Sequence, residues 1–348
     1  MSRTPLRVAV LGAGTVGREV VRSLIERGPD LVPADGPPFE LVGIAVRDLD
    51  RARAAGLPAG LLTDAPAHLV AAPDTDVVVE LMGGEEPAHT LIAAALAAGK
   101  SVVTANKHVI AHHGPDLEAT ARRTGATLRF EAAVGGGIPV LGPLATDLAA
   151  NRVISIRGIV NGTTNYILSA MADEGRDYGD VLAAAQAAGY AEADPRGDVE
   201  GHDAVNKLVI LARLAFGVWL DPADVVITAS ADGPGAGRPG ITGVAAADIA
   251  TAAAGGQTIK LVAEARRAAD GSIEASVLPT ALASDSALAR TAGVLNRIEV
   301  EAEPVGTVAF SGPGAGGAAT SSAVLGDLIA ISRELGSTWA GLPPAAAR

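Results

Sequence analysis

The chain has 348 residues, enough for two domains that each bury a core. Its 27 basic and 39 acidic side chains leave a formal charge of −12, which argues against nucleic acid and anionic membrane as partners. The absence of cysteine excludes disulfides, thiolate metal sites, iron–sulfur clusters and a cysteine nucleophile.

Residues 6–11 form a short apolar strand. Arg3 and Arg7 could mark the start of a signal peptide, but a glycine fingerprint follows the apolar run at once, so the run reads as a strand and a cytoplasmic protein is expected. The longest other apolar run, residues 208–220, is interrupted by Arg213 and is too short to span a bilayer. The fingerprint is Gly12, Gly14 and Gly17, with Thr15 and Val16 between, and a helix over residues 18–27 continues from it. Strand, G-x-G-x-x-G and helix together are the dinucleotide-binding arrangement. Gly12 makes the tight turn, Gly14 lets a pyrophosphate approach the backbone, and Gly17 lets helix and strand pack closely. Val20, Val21, Leu24 and Ile25 are expected to face inward.

A second strand covers residues 40–46. Arg47 stands where an NAD-specific fold places an acid for the ribose hydroxyl, which favours a 2′-phosphate and hence NADP(H). Asp48 and Asp50 leave NAD(H) open. Residues 76–82 read as a parallel strand buried on both faces, and residues 88–98 as a helix with Pro87 at its first turn. Residues 101–104 are a further strand. Thr104 and Lys107 lie at its carboxyl end, where open α/β sheets bind ligands. His112 and His113, beside Gly114, are expected to be solvated loop histidines. Residues 128–131 close the sheet, and a glycine run over 135–137 follows. That run could turn carbonyls onto a hard cation or serve as a hinge, and the spacing favours the hinge.

Beyond it, residues 152–160 form a strand. Residues 161–165 are a polar turn opening a helix through Met171, and residues 177–188 are another helix, ended by Gly189. A charged loop over 189–201 leads to a helix that is apolar on nearly every face after Lys207, the pattern of a buried helix. Asp203 and Lys207 are spaced i, i+4 and share a face at its mouth, directed toward the loop that carries Glu192 and Asp194. That setting suits an acid/base group; an ordinary ion pair on a first turn is the alternative. Residues 223–243 are loop-rich and suggest no role. Residues 258–265, 272–278 and 296–302 alternate as antiparallel strands. A second glycine loop, residues 311–317, precedes a final helix over 318–335.

A nucleotide fold with an Asp/Lys pair suggests hydride transfer in which a lysine handles the alcohol proton. Without cysteine the chain cannot form the thioester of phosphorylating semialdehyde dehydrogenases. Five stretches carry a family resemblance: VTANK at 103–107, EAAVGGGIP at 131–139, GIVNGTTN at 158–165, GYAEADPR at 189–196 and GHDAVNK at 201–207. With them the chain resembles homoserine dehydrogenase over nearly its whole length. The resemblance implies a Rossmann-type doubly wound parallel sheet plus an α+β domain, with the C-terminal helix returning to the nucleotide domain. It divides the chain into a dinucleotide-binding domain at 1–134 and 311–348 and a catalytic and dimerisation domain at 135–310. It implies that Lys207 is the acid/base, that Glu192 and Asp203 bind homoserine or aspartate semialdehyde, and that Lys107 lies between nicotinamide and substrate. It implies that Gly189 and Gly316 line the cofactor, and that Glu131, Val134, Gly136 and Ile138 hold a structural sodium ion. It also implies a homodimer. The sequence matches the family's short form, without a C-terminal regulatory domain, so weak or no threonine inhibition is expected.

Overall fold

The computed structural model describes residues 4–31, 36–230 and 233–345; Arg3 and residues 231–232 of the 223–243 loop lie outside them. Two compact units emerge: residues up to Asp147 together with those from Ala315, and residues Leu148–Gly314.

The first unit is built on six parallel strands: β1 (Leu6–Leu11), β2 (Phe39–Ala45), β3 (Leu62–Thr63), β4 (Val77–Glu80), β5 (Ser101–Thr104) and β6 (Leu128–Arg129). Their order, β3-β2-β1-β4-β5-β6, is the doubly wound order of dinucleotide-binding sheets. Val8, Val10, Val77, Val79 and Val103 are fully or almost fully buried, as continuous apolar strands covered on both faces require. The final helix, Gly317–Ser332, belongs to this unit and packs on the Thr15–Leu31 helix through Val324, Leu325 and Leu328.

Two expectations fail here. Ile25 is 52% exposed, whereas Val20, Val21 and Leu24 are buried. At 100° per residue Ile25 falls about a quarter-turn from the centre of that apolar stripe. His112 and His113 are not in a loop: the helix Lys107–Thr124 runs through Gly114 and Pro115 without a break. An interior proline costs about 3 kcal/mol. Burial of Val109, Ile110, Leu117 and Ala121 offsets it, at about 1.5–3 kcal/mol for each large side chain. The histidines lie on the helix surface, where His113 stacks on His89 at 3.8 Å and sets Nε2 2.8 Å from a Glu85 oxygen.

The second unit carries an antiparallel sheet of β7 (Arg152–Ile159), β8 (Gln257–Arg267), β9 (Ile273–Ala283), β10 (Leu295–Glu303) and β11 (Gly306–Pro313), in the order β11-β10-β7-β8-β9. β11 is a strand that the sequence does not suggest, and it takes Ser311, Gly312 and Pro313 out of the expected glycine loop. It is an edge strand, where a terminal proline costs no ladder bond. Against the sheet lies the helix His202–Phe216, buried at every position from Ala204 to Leu214.

Candidate active site

In the first unit two of the fingerprint glycines, Gly12 and Gly17, stand where a side chain does not fit. Gly12 has φ +97°, and a Cβ there would meet the Leu81 carbonyl at 2.6 Å. A Cβ on Gly17 would fall on the Gly12 carbonyl. In front of Gly14 no protein atom lies within 4 Å of such a Cβ, which leaves the backbone open to a ligand. Thr15 opens the following helix, whose N-terminus suits a phosphate. A cavity of about 530 Å³ opens here, with Gly12, Gly14, Arg18, Arg47, Asp48 and Met82 among its walls.

The charges at the end of β2 divide clearly. Asp48 caps the helix Leu49–Ala54, accepting from the Arg51 amide at 2.9 Å, and Asp50 pairs with Arg53 at 2.7 Å. Arg47 is exposed at the cavity wall. Gly316, with φ +120°, stands before the Gly317–Ser332 helix, and Gly317 lies so close that a Cβ would meet Thr15 at 3.0 Å. Gly317, in the part of the second glycine loop that belongs to this unit, is therefore a neighbour of the fingerprint. The side chain of Thr104 is fully buried and donates to Glu80 at 2.6 Å. Lys107 begins the next helix, one residue after its cap, Asn106.

In the second unit the charged side chains converge. Lys207 Nζ donates to Asp203 Oδ2 at 2.7 Å and to the Val160 carbonyl at 2.6 Å. Two of the three donor positions of an ammonium are thus taken by the protein. The two side chains are only 11% and 13% exposed, so their interaction is little screened by water. Asn161 caps the Gly162–Glu174 helix and turns its amide to Asp203 Oδ2 at 2.9 Å and Asp198 Oδ1 at 2.7 Å. The sequence marks Asn161 only as the start of a polar turn and does not single out Asp198. Asp198 sits in a short turn, Arg196–Val199, inside what reads as an irregular loop.

Glu192 and Asp194 do not join this network. Glu192 is exposed and its carbonyl accepts from Gln186 at 2.9 Å. Asp194 pairs with Arg196, which holds its carboxyl down at about 2. Gly189, with φ +78°, follows the Tyr178–Ala187 helix. The unassigned loop has a mechanical place: Ile241 N donates to the Val199 carbonyl at 2.8 Å and Gly240 N to the Ile227 carbonyl at 2.9 Å. It braces the segment between Asp198 and the Asp203 helix.

In the glycine run, Gly135 and Gly136 have φ +73° and +59°. Glu131 accepts from the amides of Val140, Leu141 and Gly142 at 2.7–2.8 Å, while burial, with Asp327 nearby, pushes its carboxyl up. Among the described residues no donor reaches the carbonyls of Val134, Gly136 or Ile138. Buried oxygens of this kind fit a hard cation.

Comparison with known proteins decides the family. The family model "Homoserine dehydrogenase, NAD binding domain" matches residues 12–131, and the model "Homoserine dehydrogenase" matches residues 139–329. A homoserine dehydrogenase of Corynebacterium glutamicum is 45% identical over 97% of this chain and 76% of that protein. One from Mycobacterium tuberculosis is 48% identical over 96% of this chain and 74% of that protein. The chain belongs to the homoserine dehydrogenase family. Among solved structures, a homoserine dehydrogenase from Thiobacillus denitrificans superposes with a TM-score of 0.90 at 39% identity, covering 99% of this chain and 78% of that one. A hyperthermophilic archaeal homoserine dehydrogenase in complex with NADPH gives a TM-score of 0.77 at 28% identity, over 95% of this chain and 98% of that one. The homoserine dehydrogenase reaction is the reversible NAD(P)-dependent interconversion of L-homoserine and L-aspartate 4-semialdehyde, a step toward threonine, methionine and isoleucine. Among the described residues no helix is long and apolar enough to cross a membrane.

Proposed function

We propose that Lys207 is the general acid/base of this homoserine dehydrogenase reaction, with NADP(H) the preferred cofactor. The carrying observation is the Lys207 ammonium held at 2.7 Å by Asp203 and at 2.6 Å by the Val160 carbonyl. In the oxidative direction the hydroxyl proton of homoserine passes to the Lys207 amine as the carbinol C–H breaks. The bound nicotinamide supplies the hydride acceptor. In reduction Lys207 returns the proton to the aldehyde oxygen. Asp203 and Val160 fix Nζ so that its remaining position meets the substrate oxygen. Asp203 and Glu192 bind the substrate ammonium, and Lys107 lies between nicotinamide and substrate.

Gly12, Gly14, Thr15, Val16, Gly17, Thr104, Gly189 and Gly316 line the cofactor. The NADP(H) preference rests on Arg47 at the cavity wall while Asp48 and Asp50 are engaged elsewhere. A sodium ion is held by the carbonyls of Val134, Gly136 and Ile138 with Glu131, which supplies charge and fixes the run without taking part in the chemistry. The protein acts in the cytoplasm as a homodimer formed by the second unit, which exposes Val294, Leu295 and Val305 by 44–48%.

The test is the initial rate of nicotinamide reduction by homoserine with NADP⁺ and with NAD⁺. Turnover with at least roughly tenfold preference for NADP⁺ is expected from one charged phosphate contact. Turnover with NAD⁺ favoured would overturn the cofactor assignment. Melting in sodium and in choline chloride tests the ion, which should raise Tm in sodium alone. A mass of 34.6 kDa by light scattering, rather than twice that, would refute the dimer.

A further inference from the structure

Glu80 ends β4 with its side chain fully buried, and neither the cofactor nor the proton-transfer roles above use it. It pairs with Leu11 of β1 on one side and Thr104 of β5 on the other. The gap between β1 and β4 is the point where the strand order reverses, and ligands bind outside it. A carboxylate is costly to bury there unless donors surround it.

The donors come from both loops that leave this point. Oε1 accepts from the amides of Met82 at 2.8 Å and Gly83 at 3.3 Å. Oε2 accepts from the Thr104 hydroxyl at 2.6 Å. Thr104 Oγ1 in turn accepts from the Asn106 amide at 2.9 Å. Asn106 donates from its side chain to the Gly84 carbonyl at 2.7 Å and caps the Lys107–Thr124 helix by accepting from Val109 at 3.2 Å. The turn tied to Oε1 is the one that Gly12 packs against: the Leu81 carbonyl excludes any Cβ at that glycine. Met82 and Gly83 also line the cofactor cavity. One carboxylate therefore fixes the cavity wall beside the fingerprint and the cap from which Lys107 starts.

We propose that Glu80 is a positioning residue for hydride transfer, locking the Met82–Gly84 turn and the Thr104–Lys107 segment into one geometry. The inference rests on the cofactor site and on the role given above to Lys107. Glu80→Gln keeps the size and one acceptor, but it presents an amide where Thr104 needs an acceptor. Thr104→Val removes the hydroxyl and with it both the Glu80 contact and the acceptor of the Asn106 amide, and Thr104→Ser retains both.

The experiment compares these three variants and the Glu80→Gln, Thr104→Val double variant in NADPH affinity, kcat and KM for homoserine. Glu80→Gln and Thr104→Val should each weaken NADPH and lower kcat by roughly tenfold or more, the scale of losing a fixed geometry. Thr104→Ser should lose less than Thr104→Val, and the double variant should lose less than the product of the two single losses, because both cut the Glu80–Thr104 link. If Glu80→Gln fails to fold, Glu80→Asp, which draws the same carboxylate back from Thr104 and the Met82 amide, carries the test. Parent-like NADPH affinity and kcat in whichever of these variants folds, even with a lowered Tm, would make Glu80 merely structural and overturn the proposal. Lys107→Ala, run alongside, tests the underlying reading: a parent rate there would sink Lys107's role, whereas Glu80 stands or falls on NADPH affinity.

Discussion

Asn161 donates from its amide to Oδ2 of Asp203 at 2.9 Å, to the same oxygen that accepts the Lys207 ammonium at 2.7 Å. The residue that caps one helix thus aims the carboxylate of another. Asn161 is 5% exposed, so no water stands in readily for its amide.

Asn161→Ala should lower kcat by roughly tenfold or more through a misplaced Asp203 and Lys207. Loss of the helix cap should cost about 1 kcal/mol of stability as well. Steady-state kinetics beside urea denaturation separate the two effects. A lowered stability with an intact kcat would show that Asn161 only caps.

Arg47→Ala should raise KM for NADP⁺ by roughly 10–100-fold, the worth of one or two charge-assisted hydrogen bonds to a phosphate. KM for NAD⁺ should hardly move. Parallel losses with both cofactors would place Arg47 outside the 2′-phosphate contact.

Gly240 has φ +55°, and a Cβ there would strike the Val199 carbonyl. Gly240→Ala should cost about 1–3 kcal/mol in backbone strain, or more with the clash. Because Val199 follows Asp198, kcat should fall too. Equal stability and rate would show that the 223–243 loop yields freely and braces nothing.

Lys260 on β8 is buried with Nζ bonded to Asn165 at 2.8 Å, Ser169 at 3.0 Å and the Thr291 carbonyl at 2.9 Å. Burial pulls its pKa down to about 8, with Asp173 acting weakly the other way. Between pH 8 and 10.5 the unfolded chain binds the extra proton, so this group's contribution to stability rises with pH across that window. The gain is on the order of 3 kcal/mol. Denaturant stability measured against Lys260→Met should show the parent gaining on the variant as pH rises from 8. A difference independent of pH would contradict the buried charge.

Most of the nucleotide unit was legible because its signals are local. Strand, glycine fingerprint and helix are contiguous, and β4 reads as a continuous apolar run because both its faces are covered. Asp203 and Lys207 were legible for the same reason, as neighbours one turn apart. The rest depends on distant contacts. Asp198 meets Asn161 from 37 positions away, across a turn too short to give a periodic pattern. Gly114 suggests a loop in the sequence, but the helix runs through it and Pro115, because the buried face on either side outweighs one missing bond. Glu80 lies inside the 76–82 run without distinction; only the paired register of β5 brings Thr104 to it.

The decisive measurement is the steady-state rate of Lys207→Ala with homoserine and NADP⁺, beside its NADPH affinity and its Tm. If Lys207 carries the proton, kcat falls by roughly 10²-fold or more while KM for homoserine and NADPH affinity stay close to the parent. A folded variant with an unchanged kcat would take the acid/base role away from Lys207.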